Sequence, residues 1–193
     1  RGRSKKPGPP VHGDRVERDF SAPGPIRLWL TAITEHHTGE GKLYLCAVKD
    51  CYSGRIVGYS IDSRMTSRLA VDALNNAVAL RRPVGTVVHS DRGSQYLSIK
   101  YTERLAQVEI DISVGTVGDA YDNALAECVI GLFKTEVINQ IGPWKSMREV
   151  EWETLKWVDW YNNRRLLGPI GYITPAEAEE AFYANLNSLD MVA

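Results

Sequence analysis

The chain has 193 residues, 44% of them hydrophobic and 24% charged, with a net charge of −1. That is enough chain for one domain with its own core, and too apolar for a disordered chain. No stretch approaches the roughly eighteen apolar residues of a membrane span. The charge balance also excludes a strongly basic protein, since the four cations among residues 1–10 (Arg1, Arg3, Lys5 and Lys6) leave the remainder at −5. Affinity for a polyanion must come from local patches.

Residues 1–21 are rich in Gly, Pro, Lys and Arg and read as an extended linker, with the abrupt start expected of a truncated chain. Three short apolar runs follow: Leu28 to Thr34, Lys42 to Lys49 and Arg55 to Ile61. They are joined by Thr38-Gly39-Glu40-Gly41 and Tyr52-Ser53-Gly54, the pattern of an antiparallel meander with tight turns. Ser67 then precedes a helix over Arg68 to Leu80, with Leu69, Ala73, Leu74, Ala77 and Leu80 as its apolar set and Pro83 near its end. A strand over Thr86 to His89, a helix from about Ser98 to Gln107, a strand over Ile110 to Val114 and a helix from Asn123 to about Asn139 complete an α/β order. Met147 to Asn162 is a further helix, and Thr174-Pro175 reads as a helix cap with Pro in the first turn. A single domain is expected over residues 22–185, with residues 186–193 as a tail.

Cys46, Cys51 and Cys128 are odd in number and lack metal-ligand spacing, so thiols in a reducing, cytoplasmic compartment are expected. Arg64 with Arg68, Arg81 with Arg82, Lys100 with Arg104, and Arg164 with Arg165 form the candidate basic patches. Trp144, Trp152, Trp157 and Trp160 could stack on bases, but core packing is the ordinary fate of such residues.

The chemistry concentrates between Thr86 and Lys134. A strand ends in His89-Ser90-Asp91-Arg92-Gly93-Ser94-Gln95-Tyr96, and thirty-five residues separate Asp91 from Glu127 on a later helix. Seven further residues at about 100° each bring Lys134 to within about 20° of Glu127. A carboxylate with a cation two turns along suits a divalent metal and a nucleic-acid strand, although a solvated helix face shows the same pattern. His89 should share the face of Asp91 and is expected to pack rather than ligate.

These two segments, His89 to Tyr96 and Gly118-Asp119-Ala120-Tyr121-Asp122-Asn123-Ala124-Leu125-Ala126-Glu127, resemble the second and third acidic motifs of insertion-sequence family three transposases. The resemblance covers about Phe20 to Phe182 and includes the closing motif Tyr161-Asn162-Asn163-Arg164-Arg165 with Gly171 to Glu177. It implies a ribonuclease H-like fold of the retroviral integrase superfamily, with a mixed five-stranded sheet flanked by helices. It implies 3′-end cleavage and strand transfer of DNA by an Asp, Asp, Glu triad holding two Mg²⁺ or Mn²⁺ ions. By resemblance Ala32, Asp91 and Glu127 are the catalytic positions and Asp91 and Glu127 the metal ligands. Lys134, Arg92, Arg164 and Arg165 are the DNA contacts. The implied partners are the element's terminal inverted repeats, target DNA and further copies of the chain in a dimer or larger synaptic complex. The implied location is bacterial cytoplasm, on the nucleoid when bound to DNA.

Two positions depart from that pattern. Trp29-Leu30-Thr31-Ala32-Ile33-Thr34 places Ala32 where the first Asp belongs. Engineered inactivation, a decayed natural copy, or a true ligand elsewhere, at Asp50 or Asp62, would each account for it. Leu167 replaces a His common in the closing motif. With Ala32 the chain is expected to bind DNA and hardly cut it. A non-catalytic DNA-binding derivative of a transposase and a related nuclease are the alternatives.

Overall fold

The computed structural model describes residues 13, 15, 20–91, 93–115 and 129–191. Arg92, Cys128 and the segment carrying the third acidic motif, including Glu127, lie outside the described residues, as does most of the basic opening.

Strands β1 (Leu28–Thr38), β2 (Gly41–Asp50) and β3 (Ile56–Asp62) form the expected antiparallel meander. β1 and β2 run longer than their apolar cores, because polar residues such as Glu35 and Lys42 continue the ladder and pair across it at 2.8 Å. Strands β4 (Val87–Ser90) and β5 (Asp111–Val114) add in parallel, giving the order β3-β2-β1-β4-β5. β1 is therefore central and shares its ladders with β2 and β4.

Alternation along β1 divides the core into two layers. Trp29 joins Cys46, Val48, Leu69, Leu74, Tyr96 and Leu105 beneath α1 (Ser67–Arg81) and α2 (Ile99–Gln107). Ala32 faces the other side, against Leu45, Ala47, Phe133 and Val137. That layer is capped by α3, helical over residues 129–141, and α4 (Met147–Asn163). Each fully buried Leu, Val or Phe in these layers contributes about 1.5–3 kcal/mol. Gly58 lets α1 approach closely, since a Cβ there would lie 2.6 Å from both Ala73 O and Ala77 N.

Some sequence expectations need correction. The cap of α1 is Thr66 rather than Ser67. Leu80 is 76% exposed despite its correct azimuth, because the last turn of α1 overhangs a groove beside Gly58 and Tyr59 of the edge strand. Within α3, Lys134–Asn139 is wound as a π-helix rather than a continuous α-helix.

The closing motif is largely structural. Asn162 is buried, its amide accepting from Ile56 N and donating to Ile56 O at 2.9 Å each, so it completes the start of β3 as a backbone neighbour would. Thr174 and Glu177 form a reciprocal capping box on α5 (Pro175–Asp190), which runs past residue 185 to Asp190. Buried Glu179 of α5 accepts from Ser53 Oγ at 2.9 Å and pairs with Arg55 at 3.0 Å and Arg81 at 2.8 Å. That pairing engages one of the candidate basic patches internally. No helix among the described residues is long and apolar enough to cross a membrane.

Candidate active site

The sheet pairs the β1 residues that precede position 32 with the β4 residues that precede Asp91. β1 and β4 run parallel with Leu28 opposite Val87, Trp29 opposite Val88 and Leu30 opposite His89. That register ends two residues before Ala32 on β1 and two before Asp91, which follows the last residue of β4. Sixty residues of sequence separate strands that the central ladder makes adjacent.

Asp91 is exposed where β4 gives way to a turn. Its Oδ1 accepts from Gly93 N at 2.8 Å, and Tyr96 N donates to Gly93 O at 3.0 Å. A Cβ on Gly93 would approach that Asp91 oxygen to 2.8 Å, so a side chain there would displace the Asp91 carboxylate. Beneath it, Tyr96 Oη lies 3.1 Å from Thr31 Oγ1 and 3.7 Å from Cys46 Sγ, all buried. Burial pushes the Cys46 thiol up to about 11, with Asp91 adding in the same direction, and raises the Tyr96 hydroxyl well above its ordinary value. Both are neutral supports. Cys51, also reduced, is raised to about 12 by burial.

His89 is buried, with Nδ1 at 2.9 Å from Ser113 Oγ and the Phe20 ring edge-on at 5.6 Å. It packs, as its position suggested.

The alternative first acids are placed differently. Asp50 is fully buried and accepts from Ile26 N at 2.7 Å, Trp29 Nε1 at 3.2 Å, Tyr52 N at 3.0 Å and Ser53 N at 3.1 Å. Its oxygens are consumed in closing the turn after β2. Asp62 ends edge strand β3 opposite Tyr44 and accepts from Arg64 N at 3.1 Å. Neither adjoins Asp91 in the ladder.

Further along the face of Ala32, β1 carries Thr34 and His36, which sequence reasoning passed over. Both are buried, and Thr34 Oγ1 and His36 Nε2 have no hydrogen-bond partner among the described residues. The His36 ring lies 5.5 Å from that of Phe133. Burial, reinforced by the charges of Lys134 and His37, pushes His36 down to about 4. Lys134 itself is exposed at the start of the π-helical turn.

The two arginines of the closing motif part company. Arg165 pairs with Glu136, which also accepts from Trp157 Nε1 at 2.8 Å, and lies over the Trp160 and Tyr161 rings at 5.5 and 5.8 Å. It is a tie between α3 and α4. Arg164 is exposed and makes no ion pair among the described residues.

The described side chains do not by themselves make a two-ion site. Position 32 presents a methyl group, and no three His, Cys, Asp or Glu residues converge on a metal position among the described residues. Asp91 is the one described oxygen donor of the implied triad.

Two integrase core domain profiles match, over residues 22–120 and 108–175. The chain is 48% identical over 181 residues to the Shigella sonnei transposase for insertion sequence element IS629, covering 94% of this chain and 61% of that protein. It is 45% identical over 177 residues to a Mycobacterium tuberculosis homologue assigned to IS986/IS6110, covering 89% of this chain and 64% of that one. The chain thus spans about three fifths of the length of these relatives. Among solved structures, a chain of a simian T-cell lymphotropic virus intasome superposes with a TM-score of 0.67 at 18% identity, covering 93% of this chain and 60% of that one. The HTLV-2 integrase catalytic core in complex with magnesium superposes with a TM-score of 0.61 at 18% identity, covering 82% of this chain and 99% of that one. The matched profiles, the five-stranded sheet with β1 and β4 paired in parallel at its centre, and these superpositions agree: the chain belongs to the integrase core domain family.

Proposed function

We propose that this chain is the catalytic portion of a DNA transposase, built for 3′-end cleavage and strand transfer of an insertion sequence and disabled at position 32. The observation that supports the reading is the parallel β1–β4 register, which pairs Leu30 with His89, two residues before Ala32 and the exposed Asp91, in an integrase core fold. Glu127 completes the proposed triad.

Asp91 is held by the Gly93 amide with its carboxylate turned to solvent. Lys134 and Arg164 are proposed to contact DNA phosphates, with Arg92 a third contact. A carboxylate at position 32 would supply, with Asp91 and Glu127, the hard oxygen donors that suit Mg²⁺ or Mn²⁺ ions in phosphodiester chemistry. Without it the chain retains its DNA-facing cations and loses cleavage. A DNA-binding derivative is thus what Ala32 makes of a transposase core. Terminal repeats, target DNA and a synaptic assembly of several copies are the proposed partners, and the bacterial cytoplasm the proposed location.

The test compares this chain with Ala32→Asp on a labelled duplex carrying an element end, in Mg²⁺ or Mn²⁺, scoring nicking and joining. Activity only in Ala32→Asp supports the reading. Equal activity in both, or none in either, overturns the assignment of position 32.

A further inference from the structure

Helix α4 exposes two adjacent rows of side chains, and they differ in kind. One row, at four-residue intervals, is Arg148, Trp152, Lys156, Trp160 and Arg164. The other is Glu151, Leu155, Asp159 and Asn163. The first holds three cations, two indoles and no acid; the second holds two acids and no cation. Glu149, exposed, and Glu153, half-buried, lie along the other side of the first row, so the cations and indoles run between two acidic flanks.

The indoles of the first row are not core residues at its margin. Trp152 is 60% exposed and Trp160 42%, while Trp144 is buried and Trp157 packs against Phe133 at 5.6 Å. The four tryptophans near the closing motif therefore divide into two that build the core and two that face solvent. Leaving large apolar surface in water is unfavourable, so two exposed indoles flanked by cations point to a ligand that covers them.

Each four-residue step turns about 40° around the helix and rises about 6 Å, so the row crosses α4 obliquely. Trp152 and Trp160 lie about 12 Å apart along the axis, with Lys156 between them. Lys156 Nζ is 5.8 Å from the centre of the Trp152 ring and 2.6 Å from Glu153 Oε1. That ion pair is exposed, screened and readily exchanged for a phosphate. Arg148 and Arg164 make no ion pair among the described residues. Alternating cations and indoles match a polyanion that also presents flat aromatic faces, which is the chemistry of a nucleic-acid strand with accessible bases. Glu151 and Asp159 on one flank and Glu149 and Glu153 on the other repel the same strand and confine its path to the row between them.

We propose that the row from Arg148 to Arg164 binds a DNA strand, with Trp152 and Trp160 stacking on bases and Arg148, Lys156 and Arg164 contacting phosphates. This rests on reading the chain as a DNA-handling core and adds to it a second contact surface, on α4 rather than beside Asp91. A flexible single strand can follow the oblique row and offer its bases, so it is the preferred ligand over an intact duplex.

The test uses the unaltered chain with a fluorescein-labelled oligothymidylate and with a mixed-sequence duplex, followed by anisotropy and by quenching of tryptophan fluorescence. The single strand is expected to bind more tightly and to quench. Trp152→Ala with Trp160→Ala should weaken binding by about tenfold or more and abolish the quenching. Lys156→Glu with Arg164→Glu should weaken binding and flatten its salt dependence. Leu155→Ala with Asp159→Asn, on the neighbouring row, should leave affinity unchanged or slightly improved. All these side chains are exposed, so circular dichroism should report an unchanged fold. Affinity within about twofold of the unaltered chain in both row variants overturns the proposal, as does absence of binding to either DNA. Row substitutions that alter sedimentation but not DNA affinity would also overturn it, by assigning the face to a protein contact. Cleavage by Ala32→Asp reports separately on the functional reading, so either can fail alone.

Discussion

The hydroxyls of Tyr96 and Thr31 lie 3.1 Å apart in the core, joining the turn that presents Asp91 to the β1 residue next to position 32. This bond spans sixty-five residues and ties β1 to the turn that follows β4. Tyr96→Phe removes one buried hydroxyl and should cost about 1 kcal/mol in urea unfolding. In an Ala32→Asp background it should also lower the cleavage rate several-fold, and Thr31→Val should add little to it, because both variants break the same link. Full additivity of the two in unfolding and in rate would show that the pair does not act as a unit.

Gly58→Ala tests how α1 sits on the sheet. Its new methyl would lie 2.6 Å from Ala73 O and Ala77 N, both backbone atoms that cannot rotate away. We expect a loss of about 2–3 kcal/mol, measured by chemical denaturation. A loss under about 0.5 kcal/mol would mean that the close approach of α1 to β3 is not as described.

His36 gives the fold a pH dependence of defined sign. Burial first, then the charges of Lys134 and His37, lower it to about 4, so the folded chain binds fewer protons there than the unfolded chain. Stability should be complete above about pH 6.5, the unfolded value, and decline as pH falls toward 4, by up to about 3 kcal/mol. His36→Asn should shrink the difference in unfolding free energy between pH 7 and pH 5. An NMR titration placing His36 near 6.5 would refute the burial argument.

Arg164 and Arg165 should separate in their effects although they are neighbours. Arg165→Ala removes a partner from Glu136 and the cation over Trp160 and Tyr161, so it should cost about 1–2 kcal/mol of stability. Arg164→Ala should leave thermal unfolding unchanged and weaken DNA binding. Equal effects of the two on both measurements would contradict the division of labour.

Much of the fold was legible because it depends on local pattern. The turns at Thr38 to Gly41 and Tyr52 to Gly54, the apolar runs beside them, and the cap at Thr174 are written in short-range chemistry, and the elements form close to where expected. Leu80 shows the limit. Its position in the helical repeat predicts burial, but no periodicity records that the helix end overhangs an open groove. The π-helical turn at Lys134–Asn139 likewise depends on packing and not on composition.

For the site, sequence alone determined the residue types: a carboxylate at Asp91 in a Gly-containing turn, a methyl at position 32, a closing motif with two Asn and two Arg, and the tryptophans that precede it. Only the tertiary structure decided which of them meet. The parallel pairing of β1 with β4 brings the segments leading to Ala32 and Asp91 side by side, and five backbone and side-chain donors consume Asp50. Packing of α4 on α3 partly buries Trp157 and occupies Arg165 while leaving Trp152, Trp160 and Arg164 in solvent. The physical reason is the same in each case. A side chain's type is local, but its partners and its share of water follow from contacts between segments far apart in the chain, and those exist only once the sheet and its covering helices have assembled.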